Sequence, residues 1–430
     1  MQRKHPLYII FQWHMHQPFY HDPLLKEYRL PWSRLHTTKD YTDMVWHLER
    51  YPEIKSVVNF VPSLIEQIHD YRDFSKVKEK HLNLTKKKAA DLTADEKSFI
   101  LKEFFSAHFE RIISKSKRYS ALLEKRGSDS TEHIRERVKK FSTQDFRDIQ
   151  VWFLLAWTGQ DLRRDKVVSK LIKKDQKFTE KDKSALLDHH EKAVNNVLDR
   201  YKKLQSSGQI ELTASPYAHP ILPLLIDSDV ARISMPNVNL PDSRVRHPEE
   251  ALRQVKKALK SFKKEFGFTP SGMWPSEGSV SEATADLLTQ AGIQRITTDS
   301  NVLARSLSRN SNPSGLSPMQ KYRPYINHTH HGPLAVYFRD QELSDLIGFR
   351  YAAMDAKEAV KDFFQYLEHV NSSLPDDGYP YVAVITMDGE NAWEYYEDNG
   401  QPFFDELYRN LSEKEWLETR TFEDYSKEYP

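Results

Sequence analysis

The chain has 430 residues, 39% hydrophobic and 12% aromatic, enough to bury one large core or two ordinary ones and too apolar for a disordered chain. Its 63 Lys and Arg stand against 62 Asp and Glu, so a formal charge of +1 offers no overall field to nucleic acid, acidic polymers or a lipid surface, and a neutral partner is expected. With no cysteine there is neither a disulfide nor a thiolate metal site, which suits a reducing cytoplasmic location.

The first predicted element is a strand, "LYIIFQW", which runs into His14 and His16. Its apolar run is short and leads into polar histidines instead of a small-residue cleavage site, so it is read as part of the mature fold. A second run, "SVVNFV", carries Asn59. From about residue 75 to 205 the chain is rich in Lys, Glu and Leu. There Ile100, Phe104, Phe105 and Phe109 form a stripe that predicts a helical insertion between the second and third strands, with its charges on a solvated outer face. The longest apolar stretch, around Val151 to Trp157, falls far short of the ~20 residues a membrane span needs.

The third run, "IELTAS", carries Glu211. A helix follows in which Leu252, Val255, Leu259, Phe262 and Phe266 recur at helical spacing up to a Gly267 stop. The fourth run, "SGMWPS", halts at Glu277, and after a helix stopped by Gly292 the fifth reaches Asp299. A Ser/Asn/Pro-rich stretch from Ala304 to Tyr325 is expected to be a surface loop over the site. Then come "LAVYFRD", ending at Asp340, a helix through Val360, Phe363, Phe364 and Leu367, and "YVAVITMD", ending at Asp388. Strands alternating with helices predict a parallel sheet with crossover helices, and seven such units point to a barrel or a doubly wound sheet.

Nearly every strand delivers a polar side chain near its C-terminal end, the face on which parallel α/β barrels hold their sites. Glu277, between Pro275 and Gly278 and beside Trp274, and Asp388, ahead of Gly389 and Trp393, are the carboxylates best placed for chemistry. Acids beside aromatic rings suit glycosidic cleavage, in which one attacks the anomeric carbon, one protonates the leaving oxygen, and rings stack on pyranose faces. On spacing alone, Glu277 as a helix cap and Asp388 as a turn initiator remain open. His14 and His16 face the same side of a strand, as a metal pair would, but spacing specifies no third ligand, so no metal and no cofactor are expected. His328, His330 and His331 are read as a loop feature. Trp13, Trp32 and Trp274 are candidate sugar platforms, with a core role equally open for Trp32.

Four separated motifs carry a resemblance: "WHMHQP", "GQIELTASPYAHPILPLL", "GMWPSEGSVS" and "MDGENAWEYY". In this order they resemble the signatures of glycoside hydrolase family 57, the group of α-amylases, amylopullulanases, branching enzymes and 4-α-glucanotransferases. "YFRDQELSDLIGFRY" resembles the amylopullulanase-type branch. The resemblance implies an α/β fold, an incomplete (β/α)7 barrel forming one catalytic domain over residues 1–430, with the insertion inside it. It implies a retaining mechanism with Glu277 as nucleophile and Asp388 as acid/base, about 5 to 5.5 Å apart. It also places His14, His16, Glu211, His219, Trp274, Asp340, Glu390 and Trp393 on the substrate, and Glu390 and Glu211 are expected to add negative charge beside Asp388. The implied substrate is an α-glucan or maltooligosaccharide with α-1,4 links, with cleavage of α-1,6 links as a further alternative. Hydrolysis is the leading activity, with 4-α-glucanotransferase or branching-type transfer beside it. Relatives continue into a helical domain after the barrel, whereas this sequence stops at "TRTFEDYSKEYP", which leaves two readings open: a trimmed sequence, or a minimal enzyme without that domain and with a more open cleft. Two other classes stay in play: a metal-dependent deacetylase or mannosidase-like enzyme, and a non-catalytic glycan-binding protein.

Overall fold

A computed structural model describes residues 4–308, 315–390 and 392–430. Asn391 and the middle of the Ser/Asn/Pro-rich stretch lie outside the described residues. All seven expected strands form: β1 (Leu7–Met15), β2 (Ser56–Phe60), β3 (Ile210–Ala214), β4 (Gly272–Met273), β5 (Arg295–Asp299), β6 (Gly332–Arg339) and β7 (Val382–Asp388). They are parallel in the order β7-β1-β2-β3-β4-β5-β6, and a contact between Val384 and Arg339 brings β7 back to β6. The result is a seven-stranded barrel ringed by helices, one strand short of the usual eight. β1 is buried along its whole length, as a strand covered on both faces must be, which is why it reads as a continuous apolar run. Its register sets His14 beside Asn59 on one side and Asp388 on the other.

The chain between β2 and β3 is helical, and its longest helix, Glu180–Ser206, starts at a Thr179/Asp182 capping box. The apolar run around Val151 lies in a buried helix, Thr143–Ala156. The outer-face assignment of the charges needs correction. Asp148 is buried and paired with Arg118, and Lys183 donates from the interior to the Lys87 carbonyl and Gln150. The stripe also ends early. Ile100, Phe104 and Phe105 are buried, but the helix Ala94–Glu103 stops before Phe109, which is exposed.

Elsewhere the expected stops hold: Pro248–Phe266 ends at Gly267 in the left-handed conformation, with φ +85°. Part of the expected loop is helical, in Ser300–Leu307 and Pro318–Lys321. A strand at Tyr325–Thr329 pairs antiparallel with β6, so His328 sits on a strand and not in a loop. Two π-helical turns, Thr37–Tyr41 and Leu346–Arg350, flank the upper rim; such turns are uncommon and recur at functional sites. Among the described residues no helix is long and apolar enough to cross a membrane.

Candidate active site

The C-terminal ends of the strands open on two adjoining cavities of about 730 and 680 Å³, and both are lined by His14, Glu277 and Asp388. Asp388 ends β7. The next residue, Gly389, donates its N–H to the His14 carbonyl at 2.8 Å, and a Cβ there would lie 2.1 Å from Met15 Sδ. A side chain there would displace the buried end of Met15, and the hydrogen bond to His14 ties the Asp-Gly step to β1, which holds the carboxylate at the rim of an otherwise buried strand.

Glu277 is held differently. β4 is only two residues long, Pro275 ends its pairing, and Glu277 then adopts φ +56° and ψ +21°, a left-handed conformation that costs a non-glycine residue about 1–3 kcal/mol. Its side chain is 70% exposed to the cavity. His219, also left-handed at φ +58°, brings Nδ1 to 3.8 Å from Glu277 Oε1. Two left-handed residues that follow separate strand ends therefore lie side by side.

The histidines form one wall. His14 Nδ1 donates to Asn59 Oδ1 at 2.7 Å, and Asn59 Nδ2 donates to Thr213 Oγ1 at 3.1 Å, a chain that ties the tops of β1, β2 and β3. Ring centroids lie 4.9 Å apart for His14–His219 and 4.1 Å for His16–His219. One nitrogen from each of His14, His16 and His219 lies within 4.8 Å of the others, so the third imidazole that spacing could not specify is His219. Burial, with the neighbouring imidazole adding to it, pushes His16 down to about 4 and His219 lower still, so both are neutral at pH 7. Glu390 is buried behind this wall. It accepts from His16 N and Gln17 Nε2, each at 3.2 Å, and burial, followed by the charge of Asp388, holds its carboxyl well above the usual range.

Three residues expected at the site belong elsewhere. Glu211 lies low on β3, beside Val57, because the side-chain period of two carries it two positions below Thr213. There it meets Arg295 at 3.0 Å and accepts from the Glu423 N–H, so it adds no charge beside Asp388. Asp340 is buried, capping the helix Gln341–Asp345 and holding Tyr322 and Lys321. Trp393 is 1% exposed, donates to the Gly389 carbonyl and packs on Phe404 and Trp13. Trp13 is equally interior, so it is core and not a platform. Trp274 lines one cavity and Trp32 the other. His330 and His331 meet Asp286 outside both cavities.

Other lining residues were not anticipated. Trp157 and His108, from the helical segment between β2 and β3, join Trp32 and His36 along one arm; Trp32 and Trp157 have centroids 5.3 Å apart, and His36 Nδ1 donates to buried Asp40 at 2.6 Å. Phe349, 81% exposed on the second π-helical turn, stands along the other arm. The signal available for Phe349 was its place inside the "YFRDQELSDLIGFRY" stretch; for Trp157 and His108 there was none, since only the tertiary fold brings them to the cleft.

Comparison with known proteins matches a sequence model described as Glycosyl hydrolase family 57 to residues 10–430. The chain is 24% identical over 252 residues to a 4-α-glucanotransferase of Thermococcus litoralis, covering 57% of this chain and 31% of that protein. It is 24% identical to α-amylase 1 of Dictyoglomus thermophilum, covering 53% of this chain and 26% of that one. It thus spans about a third or less of the curated relatives it matches. Among solved structures, a branching enzyme from Pyrococcus horikoshii superposes with a TM-score of 0.58 at 16% identity, covering 100% of this chain and 71% of that one, which is a likeness of fold.

Proposed function

The chain belongs to glycosyl hydrolase family 57, and from that premise we propose that it cleaves α-glucans with retention of anomeric configuration, using Glu277 as nucleophile and Asp388 as acid/base. The observation that carries this proposal is that Glu277 and Asp388, distant in sequence and delivered by different strands, line the same two cavities. Glu277 attacks C1 of a glucosyl unit while Asp388 protonates the departing glycosidic oxygen. Asp388 then takes a proton from water or an acceptor hydroxyl, which releases the sugar from Glu277. The exposed Glu277 carboxylate is free to reach a carbon, and its left-handed backbone aims it from a rigid turn. His16 and His219, neutral at working pH, offer hydrogen bonds to sugar hydroxyls without competing for the acid's proton. Trp32, partly exposed along one arm, supplies a flat face for a neighbouring glucose unit, while Trp274 and Trp157 line the arms from buried positions.

The substrate we propose is an α-1,4-linked glucan or maltooligosaccharide, with hydrolysis as the main outcome. Transfer to a second glucan is the other reading, supported by two cavity arms that meet at the carboxylates and leave room for a donor and an acceptor together. Incubation with maltoheptaose, soluble starch and pullulan, followed by chromatography of the products, separates these readings. Shorter maltooligosaccharides alone support hydrolysis, longer products support transfer, maltotriose from pullulan supports α-1,6 cleavage, and turnover that persists in Glu277→Gln contradicts the mechanism.

A further inference from the structure

The glycosidic chemistry uses the three clustered imidazoles only as hydrogen-bonding groups, yet their arrangement has a second capacity. His14 is buried, its Nδ1 engaged by Asn59 and its Nε2 without a hydrogen-bond partner among the described residues. His219 Nε2 is buried without a partner in the same way. A ring N–H tied to an oxygen, with the other nitrogen left for a ligand, is the outer arrangement that orients metal-binding histidines, and here the Asn59 amide is itself held by Thr213. We propose that His14, His16 and His219 bind one divalent transition ion of the zinc class, in competition with the sugar that uses the same wall.

The geometry is within reach of such a site. Tetrahedral zinc with bonds of about 2.0–2.1 Å sets its nitrogens about 3.4 Å apart, so a separation at the 4.8 Å limit must close by about 1.4 Å. His14 is anchored, whereas His16 is only partly buried and its ring can turn. Glu277 Oε1, 3.8 Å from His219 Nδ1, is the nearby anion that a doubly charged ion beside three neutral ligands requires. An all-imidazole donor set selects zinc, copper or nickel over magnesium or calcium, which prefer oxygen. An ion here fills the volume of the sugar hydroxyls and neutralises the carboxylate that must attack, so it inhibits. That inhibitory half rests on the proposed glycosidase mechanism; the binding half does not.

The test is equilibrium dialysis of the metal-free protein against zinc chloride at neutral pH, with bound metal counted by mass spectrometry. One ion per chain is expected. His14→Ala and His219→Ala should each weaken binding by about 100-fold or more, and Asn59→Ala by about 10-fold, as loss of an orienting partner does. Circular dichroism and thermal midpoints show whether each variant is folded, and His16→Ala provides a third ligand deletion should one of them fail. Stoichiometric binding lost in these variants supports the site; no binding at 100-fold excess zinc, or binding unchanged in folded ligand variants, overturns it. Zinc that raises the apparent KM for maltoheptaose and is reversed by a chelator supports competition. Activity that requires the ion would overturn both the competition and the Glu277 mechanism, while the dialysis result would stand by itself.

Discussion

The two ends of the barrel are built from the same strands and carry the same kinds of side chain, yet they differ in how their charges are matched. At the lower end Glu211 and Arg295 are both buried and in contact, and the Glu423 N–H completes the carboxylate's partners. At the upper end Glu277 is largely exposed, its nearby imidazole is neutral, and two non-glycine residues hold left-handed backbone. A polar residue on a barrel strand is therefore no sign of a site in itself. The sign is an acid held in a fixed position with its reactive oxygens open to a cavity.

Exchanging the acids one end at a time should separate the two roles. Glu277→Gln is expected to lower kcat by about 10³-fold or more, because no nucleophile remains, while the melting temperature stays within about a degree. Steady-state kinetics beside a thermal scan would show it. Glu211→Gln should do the reverse. Burial already holds the Glu211 carboxyl above its ordinary range despite Arg295, so the pair contributes little net, but removing one partner leaves the guanidinium charge buried at a cost of about 3 kcal/mol. Denaturant unfolding should register that loss, with kcat within about threefold of the parent.

A smaller effect separates frame from cleft by pH. His47 is buried against Phe404 with both ring nitrogens unpartnered among the described residues, and burial pushes it down to about 3. Its folded pKa lies below the unfolded value of 6.5, so only the unfolded chain binds the proton in that interval. The contribution is fully present above about pH 6.5 and is lost as pH falls toward 3. In His47→Phe, the stability lost between pH 7 and 5 should be smaller than in the parent by about 2 kcal/mol. Equal losses in both proteins would show that His47 binds its proton in the fold as readily as in the unfolded chain. The smallest effect is expected at the rim: Phe349→Ala, at an 81% exposed position, should raise KM for long glucans by up to about 10-fold and leave stability unchanged. Equal KM values for short and long substrates would remove Phe349 from the cleft's working surface.

Much of this was legible in the sequence, for identifiable reasons. Seven strands show because buried parallel strands are continuous apolar runs with clear stops. Glu277 and Asp388 show because Pro275, Gly278 and Gly389 mark sharp exits from those strands. Height along a strand was legible too, since Glu211 is the second residue of its run and a parallel strand starts at the lower end. Its burial against Arg295, far along the chain, was not. Asp340 and Trp393 sit at strand ends and in motifs as expected, but their partners Tyr322, Lys321 and Phe404 take them into the interior. His219 as companion to His14 and His16, and Trp157 as a wall of the cleft, are products of closure that no local spacing encodes.

The central claim is that Glu277 forms a bond to the sugar. Reaction with 5-fluoro-α-glucosyl fluoride, which slows release of the glycosyl-enzyme, followed by digestion and peptide mass spectrometry, tests it directly. The account predicts one fluoroglucosyl adduct per chain, on the peptide containing Glu277 and absent from Glu277→Gln. An adduct on another carboxylate, or turnover of the fluoride by Glu277→Gln at the parent rate, would contradict it.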